Sequence, residues 1–148
     1  MTSAAAAAAV SSPPPPTEKV LLRFDGSSMG NPGPSGCGYA LFRMDGTLIA
    51  SGGRSLGVST NNVAEYRGLC EGCLFAHGLG YKRIAIEGDS LLVCSQVSGK
   101  WKIKADHLRP LRDEAKRCLS LFDEWSLVHA RRSFNSVADD MAKRYATT

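Results

Sequence analysis

The sequence predicts an α/β fold, a five-stranded mixed sheet flanked by helices in the order βββαβααβα. Three observations carry this. Two strand-like runs, 37–44 and 47–54, are joined by Asp45-Gly46, and Asp-Gly between such runs is a strong hairpin signal. The hydrophobic period then lengthens to that of a helix over 60–78. Beyond it, strand-like and helical patterns alternate, which implies a mixed sheet with helices on its faces.

Taken in order, residues 20–25 (VLLRFD) form a short apolar run that ends in a carboxylate before Gly26, a buried first strand. Residues 26–36 are dense in Gly, Pro, Ser and Asn and read as a loop with several turns. Gly52-Gly53 marks a bulge or a strand end. Over 60–78, Ala64, Leu69, Cys73, Leu74 and Ala76 carry the helical pattern, with Thr60 or Asn61 as N-cap. Gly68 and Gly72 are unfavourable inside a helix and imply close packing against a strand. Residues 83–87 (RIAIE) alternate like a strand, and 90–97 form a short helix. A longer amphipathic helix is expected over 105–122, with Leu108, Leu111, Ala115, Cys118 and Leu119 on one stripe. Pro110 falls near its first turn, where proline is tolerated. Residues 125–129 give the last strand, and Asn135 caps a final helix reaching residue 145.

Of the 148 residues, the first seventeen carry no charged side chain and run from Ala4–Ala9 into Pro13–Pro16. Residues 1–17 are expected to be a disordered Ala/Pro-rich tail, leaving 18–148 as one folded domain with a real hydrophobic core. The tail lacks the basic segment of a secretory signal. No apolar run approaches bilayer-spanning length, which excludes an integral membrane protein of helical type. Five cysteines, an odd number without a framework spacing, point to a reducing compartment. Cys70-x-x-Cys73 lies within a helix and lacks a second ligand pair, so buried helix residues are expected rather than zinc ligands. The net charge of +4 is mild, yet residues 100–117 hold seven Lys or Arg against three acids. That stretch is a solvated helix face or a phosphate-binding surface.

Four acids occupy element ends. Asp25 and Asp89 each end a strand that reads as central, beside a glycine, and ligands of open α/β sheets bind outside the carboxyl ends of strands. Glu65 and Asp139 lie early in helices. Singly, each has a structural use, as an Asx-turn or N-cap for Asp25 and Asp89 and as a favourable acid near a helix start for the others. Together they suit divalent cations, because clustered carboxylates repel and hard oxygen ligands select Mg²⁺ or Mn²⁺. Two such ions can hold the attacking and leaving oxygens of a phosphodiester displacement.

Four segments combine these acids in order: Asp25-Gly-Ser-Ser-Met-Gly-Asn-Pro-Gly33, Thr60-Asn-Asn-Val-Ala-Glu65-Tyr66, Glu87-Gly-Asp-Ser90, and Arg132-x-x-Asn135-x-x-Ala138-Asp139. With these, the chain resembles ribonuclease H type 1 over residues 20–146. The resemblance implies a ribonuclease H-like fold and endonucleolytic hydrolysis of the RNA strand of RNA–DNA hybrids. Two Mg²⁺ ions would serve, with Mn²⁺ as substitute, leaving 5′-phosphate and 3′-hydroxyl ends. Asp25 matches the carboxylate that bridges both metals. Asp139 would complete the site that activates water, and Glu65 with Asp89 would hold the second ion. Asp140 is adjacent to Asp139, but the Ala138-Asp139 pair fits the motif, and one residue along a helix turns a side chain by about 100°.

The resemblance also implies contacts. His129 stands where many members carry a histidine that helps product leave, or is an exposed strand-end histidine. Arg132 matches an arginine some members use near the site, or contacts phosphate or the carboxylates. Ser28, Gly30 and Asn31 would face the hybrid's minor groove, and Asn61, Asn62 and Glu65 would read 2′-hydroxyls. Thr60 would grip a phosphate of the DNA strand. Residues 99–105 leave no room for the basic insertion some members carry, so Lys100, Lys102, Lys104 and Trp101 are expected to give a reduced DNA-strand grip, with Trp101 equally suited to packing.

The expected partner is an RNA–DNA hybrid, with no membrane, no required protein partner and a monomeric state. The expected place is intracellular, in nucleus or cytoplasm before an organelle. The rival reading is a non-catalytic module of the same fold that binds hybrid or double-stranded RNA.

Overall fold

The computed structural model describes residues 6–9 and 17–147. Its strands are β1 (Ala6–Ala9), β2 (Val20–Ser28), β3 (Gly33–Arg43), β4 (Leu48–Ser59), β5 (Arg83–Gly88) and β6 (Glu124–His129). Its helices are α1 (Asn61–Gly78), α2 (Leu91–Val97), α3 (Arg109–Leu119) and α4 (Ser136–Ala146). The expected five-stranded mixed sheet is present as β4-β3-β2-β5-β6, with the short β1 added at the β4 edge. The β2–β3 and β3–β4 pairs are antiparallel, and β5 runs parallel to both β2 and β6.

Within the stretch that reads as a disordered tail, Ala6–Ala9 therefore pairs with Ala50–Gly53 of β4. The edge of β4 offers unpaired backbone groups, and alanine brings neither bulk nor charge to oppose pairing. The rest of that stretch, residues 1–5 and 10–16, lies outside the described residues.

The loop expected over 26–36 shrinks to four residues, because β2 continues to Ser28 and β3 begins at Gly33. Gly36, which reads as a turn residue there, serves close packing instead, as does Gly38 in the strand that follows. A Cβ on Gly36 would stand 2.3 Å from the Ala146 nitrogen, and one on Gly38 2.3 Å from the Ala138 oxygen, so α4 lies against β3 backbone. The hairpin turns at Asp45-Gly46 as expected. Gly46 takes φ +94°, and Asp45 Oδ1 accepts from the Thr47 N–H at 2.9 Å.

α1 starts at Thr60, whose hydroxyl accepts from the Val63 N–H, so the cap is Thr60 rather than Asn61. Its two interior glycines together cost about 2 kcal/mol relative to alanine. Packing offsets this. A Cβ on Gly68 would meet the Asp25 carbonyl oxygen at 2.5 Å, and one on Gly72 the Leu22 side chain at 3.0 Å. Burial of Leu69 alone contributes about 1.5–3 kcal/mol, and Tyr66, Cys70 and Cys73 join it in the core with Leu22, Phe24, Ile84 and Ile86.

The helix expected over 105–122 divides. A single 3₁₀ turn, Asp106–Leu108, precedes α3, with Pro110 in its first turn where its missing N–H costs nothing. Asn135 occupies the N-cap position of α4 but makes no capping bond with its side chain. All five cysteines are free and buried. Among the described residues, no helix is long and apolar enough to cross a membrane.

Candidate active site

The parallel ladder between β2 and β5 ends at the pair Phe24–Gly88. The next residues are Asp25 and Asp89, so two carboxylates lie side by side just past the last rung. The same rung pairs Gly88 with His129 of β6. Asp89 does not cap α2; Ser90 does, accepting from the Val93 N–H at 3.2 Å. Asp89 is thereby free of the structural use open to it in the sequence.

Side chains alternate across the sheet. Gly26 sits under α1, since a Cβ there would meet the Ala64 carbonyl carbon at 2.2 Å. Asp25 pairs with Gly38, which sits under α4. Asp25 thus projects toward the helix that carries Asp139. Glu65 comes from α1, and its Oε1 accepts from the Gly26 N–H at 2.6 Å, which fixes it beside Asp25.

Asp25, Glu65 and Asp89 each bring an oxygen into one group with all spacings within 4.8 Å. Asp139 joins them in lining one cavity of about 370 Å³, with Asn61, Ser90, Arg132 and Lys143. Asp25 is 3% exposed and Glu65 8%. Glu65 Oε2 and Asp89 Oδ2 are buried without a hydrogen-bond partner, and Asp89 Oδ2 has an ion pair with Arg132 in its place. A buried carboxylate oxygen without a hydrogen bond is costly to desolvate.

Burial pushes the Asp25 carboxyl up to about 11, reinforced by Glu65, Asp139 and Asp89 around it. Burial likewise raises Glu65 to about 7, against hydrogen bonds from Asp25 and Gly26. Asp139 goes the other way. Its partial burial opposes ionisation, but bonds from Asp25 and Lys143 outweigh it and hold the group below its ordinary range. Burial and mutual repulsion thus favour a proton held within the cluster when no cation is bound. Buried acids crowded together with two oxygens free of hydrogen bonds fit a hard divalent cation.

Two basic side chains stand at the rim. Lys143 Nζ is 3.0 Å from Asp139 Oδ2. Arg132 Nε is 3.4 Å from Asp89 Oδ2, an ion pair without hydrogen-bond geometry, and the arginine is 83% exposed. Of the uses open to Arg132 in the sequence, the structure places it against a carboxylate.

His129 lies beside the site rather than in it. Its Nε2 is 3.2 Å from the Asp89 backbone oxygen, and its ring borders a separate groove with Leu91, Cys94 and Leu127. Ser28 faces inward, bonding to the Gly30 and Ser59 carbonyls, and accepts from Ser35 Oγ at 2.9 Å. Gly30 takes φ +96° in the same turn. Asn31 Oδ1 accepts from the Asn61 N–H at 3.0 Å and joins that turn to α1. Thr60, Asn61 and Asn62 follow along the start of α1. Asn61 borders the acid cavity. Asn62 borders a second groove of about 520 Å³, with Trp101, Lys100, Lys102 and Lys104. Trp101 is 47% exposed there. The expected substrate residues thus split between the acid cavity, the 28–31 turn and this basic groove, with α1 linking all three.

Two residues of the site escape a reading of the sequence alone. Lys143 is at i+4 from Asp139 on α4, a spacing that could have revealed it. Asn135, part of the fourth matched segment, is given no role there beyond a cap, yet its Nδ2 donates to the Phe24 carbonyl at 2.8 Å.

The fold and the acid cluster define an α/β domain with a group of carboxylates that could hold a metal ion. Comparison with known proteins gives the family. The profile of the reverse transcriptase-like family matches residues 23–145. A Halobacterium salinarum protein named ribonuclease HI is 42% identical over 124 residues, 84% of this chain and 62% of the relative. The crystal structure of RNase H1 from that archaeon superposes with a TM-score of 0.84 at 40% identity, covering 87% of this chain and 98% of the other. The N-terminal RNase H domain of a Mycobacterium tuberculosis protein gives 0.84 at 39%, covering 88% and 95%. LC11-RNase H1, solved in complex with an RNA/DNA hybrid, gives 0.79 at 26%, covering 84% and 94%. The chain spans 62% of the archaeal curated relative and 34% of a bifunctional mycobacterial one. The chain belongs to the ribonuclease H type 1 family.

Proposed function

We propose that this protein is an endonuclease that cuts the RNA strand of RNA–DNA hybrids, with two Mg²⁺ ions or Mn²⁺ in their place, leaving 5′-phosphate and 3′-hydroxyl ends. The observation that carries the reading is the convergence of Asp25, Glu65 and Asp89, with two oxygens free of hydrogen bonds, on this fold. Divalent ions bound there would neutralise the carboxylates and polarise the scissile phosphodiester. Asp25 and Asp139 would hold one ion and Glu65 and Asp89 the other, with Asp25 shared.

The chain's own groups do the rest. Burial of the acids keeps water from screening them. The Gly26 N–H holds Glu65 in place. Asn61 and Asn62 stand on the first turn of α1, where their amides can donate to and accept from a 2′-hydroxyl, which separates RNA from DNA without reading sequence. Trp101 and the three lysines beside it offer stacking and charge to the DNA strand. His129, beside the site with its Nε2 3.2 Å from the Asp89 backbone oxygen, would assist departure of product. The protein acts as a monomer inside the cell. A binding module without turnover gains nothing from acids facing phosphates.

Asp25→Asn tests the reading. It keeps shape and removes the shared charge. Hybrid cleavage should fall by about 10²–10³-fold, the scale of losing one preorganised electrostatic group, with the fold intact by circular dichroism. Full activity in this variant would sink the proposal.

A further inference from the structure

Asn135 is 2% exposed and occupies the N-cap of α4 without capping it. A capping side chain satisfies one of the free N–H groups of its own helix, so this asparagine forgoes a local bond for a distant one. Its Nδ2 donates to the carbonyl of Phe24, 111 residues away, at 2.8 Å. Phe24 is the last rung of the β2–β5 ladder and immediately precedes Asp25. Asn135's own carbonyl accepts from the Asp139 N–H at 3.0 Å. One residue therefore holds the backbone next to Asp25 with its side chain and the backbone of Asp139 with its main chain. On the other side of Asp25, the Gly26 N–H is held by Glu65. The peptide carrying Asp25 is clamped from α1 on one side and from the start of α4 on the other.

We infer that Asn135 is a positioning residue that sets the placement of Asp139 against Asp25, and through it the divalent-ion affinity of the acid cluster. The inference rests on the reading of the four acids as a divalent-ion site, but not on the substrate. The physical argument is leverage. α4 meets the sheet through Ala138, Met141 and Ala142 against Gly38 and through the Tyr145 ring against Gly53, which fix its height above β3 and β4. Apolar contact of that kind is non-directional, and at the far end of α4 a directional bond holds the helix to β4, where Ser55 Oγ donates to the Tyr145 carbonyl at 3.0 Å. The Asn135–Phe24 bond is directional and lies at the end of α4 where Asp139 sits. Only the donor half of the amide is used, since Asn135 Oδ1 is buried without a partner.

The test is calorimetric titration of Mn²⁺ into the full chain, beside steady-state cleavage of a labelled hybrid. The variants are Asn135→Ala, the milder Asn135→Ser, and Ala142→Gly as a control that loosens α4 elsewhere. Supporting groups around metal ligands typically change affinity or activity by about 10- to 100-fold. Asn135→Ala and Asn135→Ser should weaken Mn²⁺ binding by about tenfold or more and lower kcat similarly, with KM within about twofold. Ala142→Gly should bind Mn²⁺ as the wild type does, even where its Tm falls as far. Wild-type Mn²⁺ affinity in folded Asn135→Ser, or equal weakening in Ala142→Gly, would overturn the inference alone. A wild-type chain that binds no Mn²⁺ would overturn the divalent-site reading and the inference with it.

Discussion

Asp25 and Asp89 stand next to each other one residue beyond Phe24–Gly88, the final pair of a parallel ladder. Neighbouring strands lie about 4.8 Å apart, so the sheet itself sets the spacing of two carboxylates. The helices then add Glu65 from one face and Asp139 from the other.

The first prediction concerns pH. Asp25 is raised from its ordinary 3.8 to about 11, and Glu65 from 4.5 to about 7. The folded state therefore binds protons that the unfolded chain has released, and stability falls as pH rises through that window. Asp139 has the opposite sign, its contribution being lost only as pH falls through its lowered value. In chelator, the calorimetric Tm should drop on going from about pH 5 to about pH 9. Saturating Mg²⁺ should raise Tm more at the alkaline end, and Asp25→Asn should flatten the slope. A Tm that climbs with pH in chelator would contradict the pH argument.

Lys143 competes with any cation for Asp139, at 3.0 Å. Lys143→Met should lower the Mg²⁺ concentration giving half-maximal cleavage by up to about fivefold, the scale of an exposed ion pair. A higher midpoint would show that the lysine assists the metal rather than opposing it.

The basic groove makes a separate prediction. Trp101→Ala should raise KM for hybrid by about 5- to 100-fold, the range for losing one stacked base, with kcat little changed. Replacing Lys100, Lys102 and Lys104 together should flatten the salt dependence of hybrid binding, by about 0.7–0.9 in the log–log slope for each phosphate no longer neutralised. An unchanged salt slope would remove this groove from the interface.

Much of this was legible in the sequence, because strand-end acids beside glycine and helix-start acids are local patterns. Gly68 and Gly72 announced their close approach to β2 for the same reason: only packing explains glycine inside a helix. What escaped was non-local. Asn135 looks like a cap until its bond to Phe24 is seen, and nothing near residue 135 encodes a carbonyl at residue 24. Gly36 looks like a turn residue because glycine serves turns and close packing alike, and the helix that requires it lies about a hundred positions on. The pairing of Ala6–Ala9 with β4 left no trace because alanine carries no strand pattern.

The most direct test is cleavage of a labelled RNA–DNA hybrid with and without Mg²⁺, beside single-stranded RNA, RNA duplex and DNA duplex. The account predicts cutting of the RNA strand of the hybrid alone, only with the metal, giving 5′-phosphate ends. Binding of the hybrid without any cleavage in Mg²⁺ or Mn²⁺ would contradict it and assign this acid-lined fold to recognition instead.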